Sequence, residues 1–233
     1  MVCTDDNAVS FTQADRKPAV ITVSRKEKGK LVETGRFRDI QKKLEATLDE
    51  YRYVHTLGVA LTSAALAMRY ETDVEKAELA GLLHDCAKSI PKDQQYVLCE
   101  KYGVELSEYE KRNPSLVHSK LGAWMAWHDY GVEDEDVLEA IRTHTTGKPD
   151  MSLLQKIVYV ADLIEPHRDD IIPDIARIRH LAFTDIDEAV FITVEGTIIN
   201  LAERGKEEDP LSRDTFEYYK HIHILRHGEP KIF

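Results

Sequence analysis

The stretch Ala77–Lys88 reads Ala-Glu-Leu-Ala-Gly-Leu-Leu-His-Asp-Cys-Ala-Lys. It predicts a closely packed helix that ends in chemistry. Ala77, Ala80 and Gly81 are small enough to admit a neighbouring helix, and Leu79, Leu82 and Leu83 supply core. His84 and Asp85 follow hard against this apolar run. A polar group placed there must be paired, exposed or bound, because unpaired burial costs roughly 2–7 kcal/mol. A cation satisfies both side chains, since imidazole nitrogen with carboxylate oxygen suits iron, zinc or manganese. Lys88 comes one helical turn after His84, on the same face if the helix continues. On this stretch alone, a plain helix end with a His–Asp contact is an equal alternative. The rest of the chain separates the two.

The chain has 233 residues, enough for one domain with an extension or two small ones. Hydrophobic residues make up 42%, sufficient for a core. A formal net charge of -11 argues against broad binding to nucleic acid or an anionic membrane. It leaves room for a phosphorylated small molecule, provided local cations or a metal neutralise it. Cys3, Cys86 and Cys99 are too few and too irregular for a disulfide framework or a zinc ribbon. There is no apolar run of about 18 residues and no signal-peptide core, so a reducing cytoplasm is expected.

Along the chain, residues 1–35 lack a sustained period and are expected to form a loosely packed or disordered extension, with a weak strand signal at Ala19–Val23. The main domain is expected over residues 36–227, with a tail at 228–233. Phe37, Ile40, Leu44 and Leu48 begin the helical period. A second helix follows over about Tyr51–Tyr70, carrying Arg52 and His55. Asp73 suits the N-cap of the Ala77 helix, and Pro91 suits the first turn of the next. Leu116–Trp127 is helical and carries His118, with Trp124 and Trp127 expected in the core and His128 exposed. The acidic run Glu133–Asp136 starts a helix that leads to His144, where the helix gives way to a glycine-containing loop. Met151–Pro166 is apolar nearly all round and so reads as buried. Asp162 lies inside that apolar surround, where a carboxylate needs a cation to stay charged. Packing helices are expected at about Pro173–Phe183 and Ile186–Arg204, then a polar loop at Glu207–Arg213 and a helix over Asp214–Arg226. His221, His223 and His227 are expected on the surface.

Six ligand-type residues thus fall on, or at the end of, separate helices: His55, His84, Asp85, His118, His144 and Asp162. Helical bundles build metal sites in this way. Nitrogen and carboxylate donors without cysteine favour iron or manganese over structural zinc. Six exceed the need of one ion once water and substrate bind, so two ions with a bridging carboxylate are the natural count. Arg52, Lys88 and Arg168 each lie close in sequence to a ligand. Cations beside a metal make sense if a polyanion occupies the space between them, and phosphate hydrolysis by metal-activated water follows.

The order His55…His84-Asp85…Asp162 resembles the signature of HD-domain metal-dependent phosphohydrolases, and His118 with His144 resembles its six-ligand, dinuclear branch. More narrowly, the chain resembles the bacterial YqeK family, the symmetrical diadenosine-tetraphosphate hydrolases. The matching strings are Arg52-Tyr-Val-His55-Thr-Leu-Gly-Val, Leu83-His84-Asp85-Cys-Ala-Lys88, Leu116-Val-His118-Ser-Lys-Leu-Gly-Ala, Ile141-Arg-Thr-His144-Thr-Thr-Gly and Val158-Tyr-Val-Ala-Asp162-Leu-Ile-Glu-Pro-His-Arg168. HD by itself is two letters; the five strings in order are specific.

The resemblance implies an all-α HD-domain bundle with a metal site in its core. It implies that His55, His84, Asp85 and Asp162 hold iron as a dinuclear centre, with manganese or another divalent metal as the other candidates. Asp85 would bridge, and His118 and His144 would either complete the second metal site or touch substrate phosphate. Asp85 and Lys88 would be catalytic, and Arg52, Lys88, Thr145 and Arg168 would bind the substrate. Glu208–Arg213 matches a nucleotide-contacting segment loosely, and the charges of Glu208 and Asp209 argue against a phosphate role there. The implied reaction is attack of a metal-bridging hydroxide on a central phosphorus of diadenosine tetraphosphate, giving two ADP. The implied partner is that nucleotide, with neither nucleic acid nor membrane, and a homodimer is admitted. Two other readings stay open: an HD phosphohydrolase for another nucleotide or cyclic nucleotide, and a metal-dependent nucleotide sensor without turnover.

Overall fold

A computed structural model describes residues 25–168 and 174–228, with side-chain surroundings from residue 35 onward. The Ala19–Val23 strand expected within the N-terminal extension lies outside these residues, as does the tail beyond Gly228. From Asp39 onward the chain forms one compact unit, which carries the site and every helix after the first.

Helix α1 covers Arg25–Thr47, opening before the period that starts at Phe37. Its apolar stripe puts Ile40 and Leu44, with Leu48 just beyond the helix, in the core. Helices α2 (Glu50–Arg69) and α3 (Val74–Leu83) are each started by an aspartate: Asp49 accepts from the Arg52 N–H and Asp73 from the Lys76 N–H. They pack closely because α3 presents Ala77, Ala80 and Gly81, all buried. A Cβ on Gly81 would stand 2.9 Å from the Ala60 Cα, so only glycine permits this approach. Leu82 and Leu83 are fully buried, while Leu79 is half-buried. The helix ends at Leu83, and the expected one-turn relation of Lys88 to His84 is replaced by turns, in which the Lys88 N–H donates to the Asp85 carbonyl (2.9 Å).

Helix α4 (Lys92–Tyr102) has Pro91 as its N-cap, and the short α5 (Glu108–Arg112) has a reciprocal Ser107–Glu110 capping box. Helix α6 covers Val117–His128 and α7 covers Glu135–Thr143, the latter capped by Asp134. Helix α8 (Leu153–Ile164) starts at a Ser152–Gln155 capping box and is followed by a 3-10 turn at Pro166–Arg168. Helices α9 (Ile175–Thr184), α10 (Ile186–Glu203) and α11 (Pro210–His227) complete the described chain. Helix α8 is central: α2, α3, α7 and α10 all pack on it, α6 packs on α7, and α11 on α10. Among the described residues there is no strand, and no helix is long and apolar enough to cross a membrane.

Four other expectations are corrected. Helix α11 starts at Pro210 rather than Asp214, because Asp209 caps the Leu211 and Ser212 N–H groups and proline fits the first helical position. Trp127 is 51% exposed, and Trp124 stacks between Tyr102 (3.9 Å) and His128 (4.5 Å) instead of filling the core. His223 is half-buried and bonded to Glu188, not a free surface residue. The Asp162 side chain is 25% exposed, because it sits in the last turn of α8, where the bundle opens.

Candidate metal centre

The six residues come from five helices. His55 sits in the second turn of α2, and Asp162 in the last turn of α8. His118 lies in the first turn of α6. His84 and His144 occupy the C-cap positions of α3 and α7, and Asp85 follows His84. Ending a helix at each histidine leaves its carbonyls short of donors, and the imidazoles supply them: His84 Nδ1 donates to the Gly81 carbonyl and His144 Nδ1 to the Ile141 carbonyl, both at 2.7 Å. That fixes the tautomer, so each Nε2 carries a lone pair and points inward.

Those lone pairs converge. His55 Nε2 is 3.0 Å from Asp162 Oδ1, and His84 Nε2 is 3.7 Å from both Asp162 Oδ1 and Asp85 Oδ2. Asp85 Oδ1 lies 3.3 Å from His118 Nε2 and 3.5 Å from His144 Nε2, which are 3.2 Å apart. The two oxygens of Asp85 therefore serve two different groups of imidazoles. The His84 Nε2 is fully buried and has no hydrogen-bond partner. An orphaned lone pair facing two carboxylates is costly unless a cation lies between them. His55, His84 and Asp162 bring their donor atoms within 4.8 Å of one another, and so do His84, Asp85 and His144. The residues thus fit a divalent metal ion, and the nitrogen–carboxylate donor set suits a first-row metal.

The electrostatics agree with that fit. Burial pushes His84 down to about 4, and burial together with the Lys88 charge pushes His118 down to about 4, so both are neutral ligands near pH 7. Asp85 is held well below the usual carboxylate range: burial opposes this, but its contacts with His84, His118 and His144 and the Lys88 charge outweigh it. Asp162 is held far below as well, His55 and His84 outweighing burial. His55 alone is raised: burial lowers it, and its hydrogen bonds to Asp162 and Glu165 raise it further than burial lowers it.

The cations lie on the carboxylates themselves. Arg52 Nη1 is 3.2 Å from Asp85 Oδ2, and Lys88 Nζ is 3.2 Å from both Asp85 Oδ1 and His118 Nε2. Arg168 Nη2 is 3.1 Å from Asp162 Oδ1 and 3.4 Å from His55 Nε2. Each cation keeps about 30% of its side chain exposed, at 29%, 33% and 27% respectively. Thr145, next to His144, bonds to the Ser119 hydroxyl (3.3 Å) and lines a cleft of about 680 Å³ with Lys92, Arg112, Asn113 and Lys206. In the loop before α11, Glu208 is already paired with Arg213, and Asp209 is the helix cap.

One residue escaped the sequence reading. Glu165, the C-cap of α8, is 1% exposed. Its Oε1 accepts from His55 Nδ1 (3.1 Å), and its Oε2 accepts from the His167 N–H (2.8 Å). It is the carboxylate partner behind a ligand histidine, which fixes ring orientation and raises basicity. Gly58 makes room for it, since a Cβ there would clash with Glu165 Oε2. The available signal was weak: His55 and Gly58 share one face of α2, three residues apart.

A helical bundle with a His, His-Asp, Asp constellation in its core defines the HD-domain class, and the HD domain family matches residues 52–167. The symmetrical bis(5'-nucleosyl)-tetraphosphatase of Bacillus subtilis (strain 168) is 42% identical over 174 residues, which cover 74% of this chain and 89% of that protein. The protein of the same name from Halalkalibacterium halodurans is 40% identical, covering 75% of this chain and 90% of its own. The crystal structure of a predicted HD superfamily hydrolase involved in NAD metabolism from Clostridium acetobutylicum superposes with a TM-score of 0.76 at 38% identity, covering 80% of this chain and 97% of that one. The chain belongs to the family of symmetrical bis(5'-nucleosyl)-tetraphosphatases within the HD domain proteins.

Proposed function

We propose that this chain is a metal-dependent hydrolase that splits diadenosine tetraphosphate symmetrically into two ADP. The observation that carries this reading is the similarity to symmetrical tetraphosphatases over nine-tenths of their length. We assign His55, His84, Asp85 and Asp162 as the metal ligands, with His118 and His144 facing a second ion or the substrate phosphates. We assign iron as a dinuclear centre, in keeping with a nitrogen and carboxylate donor set that lacks sulfur. When bound, such ions supply an activated water and draw charge from the phosphoryl oxygens. Asp85 would hold both ions of this assignment, a role supported by its two oxygens facing separate imidazoles.

The chain's own groups do the remaining work. Arg52, Lys88 and Arg168 hold donors beside the ligand carboxylates, so a polyphosphate entering the site meets positive charge from α2, from the turn after α3 and from the turn after α8. Charge that grows on the phosphoryl oxygens is met by donors already in place, Lys88 foremost, so little reorganisation is needed during reaction. Gripping the chain on both sides sets a central phosphorus over the ligand cluster, and proximity selects that bond. The Thr145 cleft, lined by Tyr109, Leu116 and Leu201 and by charges of both signs from Lys92, Arg112, Lys206, Glu207 and Asp209, receives one nucleoside arm. Arg52, Lys88 and Arg168 make a small, local cationic site on a chain of net charge -11, suited to a nucleotide rather than to nucleic acid. The test is chromatography of early products from diadenosine tetraphosphate with anaerobically purified protein. ADP as the only early product is expected; equal AMP and ATP would overturn symmetrical cleavage.

A further inference from the structure

A second group of metal-type ligands lies at the junction of α10 and α11. His223 and His227 are four residues apart on α11 and so share a face. Glu188, in the first turn of α10, faces both. One of its oxygens, Oε2, is 2.8 Å from His223 Nδ1 and 3.7 Å from His227 Nε2. The donor atoms of all three residues lie within 4.8 Å of one another. Bonds of about 2.0–2.1 Å to a tetrahedral ion require donors about 3.3 Å apart, so the two measured separations straddle the required value.

The surroundings hold these groups ready. The Glu188 carboxylate is 11% exposed, and the His223 ring is braced by the Phe191 ring, 4.6 Å away and nearly parallel at 22°. Phe191 is three residues after Glu188 on α10, so one helix supplies both the ligand and the brace. His227 is the last residue of α11 and 51% exposed, which leaves an open side for a water ligand and for metal entry. The end of α11 also favours a cation, because its free carbonyls carry partial negative charge. The nearby Arg226 is neutralised by Asp185 (2.9 Å) and Asp187 (2.6 Å), and Lys156 by Asp187 (2.8 Å), leaving no unpaired positive charge from either to oppose an ion. Lys156 precedes Asp162 by six residues on α8, about 9 Å along the helix.

We propose that Glu188, His223 and His227 form a peripheral zinc site that pins the end of α11 to the start of α10. Two imidazoles, one carboxylate and an open fourth position are a donor set that zinc takes readily. Binding replaces the Glu188–His223 hydrogen bond with two metal–ligand bonds and brings His227 in from solvent.

The test is equilibrium dialysis of the metal-loaded full-length protein against micromolar zinc, with zinc and iron counted by elemental analysis. Zinc can also exchange into the central site, so the reading is the difference between wild type and His227→Ala or Glu188→Gln. Wild type should hold one zinc per chain more than either variant, and zinc should raise the melting temperature of wild type more than that of either variant. Equal iron content, equal hydrolysis rate and equal melting temperature in chelator establish that the variants are intact. If either variant is not intact, cobalt added to the iron-loaded wild type decides: a tetrahedral class with visible absorption that fills without displacing iron is expected. Equal zinc in wild type and both variants, or cobalt bound only as iron is released, would reduce the cluster to an ion pair and overturn the proposal.

Discussion

Glu165→Gln is the most informative perturbation of the central site, because it changes charge without changing shape. The Glu165 carboxylate is buried, and its Oε1 accepts from His55 Nδ1 at 3.1 Å while its Oε2 is held by the His167 N–H. A glutamine oxygen can still accept from His55, so ring orientation survives, although its NH2 then faces the His167 N–H, which loses its acceptor. What is lost is the difference between a charged and a neutral hydrogen bond, about 1–2 kcal/mol. With 1.4 kcal/mol per tenfold, metal affinity should fall by about 10-fold, within the range for carboxylates behind ligand histidines. The pH dependence gives a second reading. His55 is raised above its ordinary value in part by Glu165, and metal must displace that proton. Removing the charge lowers the His55 pKa, so proton competition weakens in the variant. The affinity deficit should therefore be largest at pH 8 and shrink toward pH 6. Competition with a metal indicator across this range measures it. An unchanged affinity at pH 8, or a deficit that grows as pH falls, would refute the role given to Glu165. Gly58→Ala should give a similar or larger loss by steric means, since its Cβ would displace the same carboxylate.

Lys88→Ala should lower kcat/KM for diadenosine tetraphosphate by about 100-fold while metal content, by elemental analysis, stays within error of wild type; metal loss in proportion to activity would make Lys88 a support of Asp85 instead. In chelator, His84 and His118 sit neutral near 4 in the fold but titrate near 6.5 when unfolded. Their contribution is full above pH 6.5 and is lost as pH falls to 4, up to about 3 kcal/mol each. His55, raised, runs the other way: its contribution is present below 6.5 and lost as pH rises. Two depressed histidines outweigh one raised one, so calorimetry of the metal-free protein should show a lower melting temperature at pH 5 than at pH 7. Gly81→Ala should destabilise by about 1–3 kcal/mol, read from denaturant midpoints, because the new methyl meets the α2 backbone; an unchanged midpoint would contradict the close packing of α2 and α3.

The sequence alone carried the all-helical architecture and the six ligand-type side chains. The reason is locality. A helix cap such as Asp73, and the apolar period around Leu44 or Ile157, act within a few residues and are legible in one dimension. A histidine or aspartate beside such a period is conspicuous because burial without a partner is expensive. Tertiary structure decided what each polar group meets. Glu165 precedes a proline at a helix end and looks like a surface charge; it is buried only because Gly58 of α2 lets that helix close over it. Asp162 belongs to an apolar helix yet is partly exposed, since the bundle opens at the end of α8. Arg52, Lys88 and Arg168 were legible as cations near ligands, but their direct pairing with Asp85 and Asp162 depends on distances between separate helices. Glu188 and His223 are 35 positions apart, and their contact exists only because α11 folds back on α10. Periodicity and capping are properties of a segment, whereas burial and pairing are properties of whatever the rest of the chain places against it.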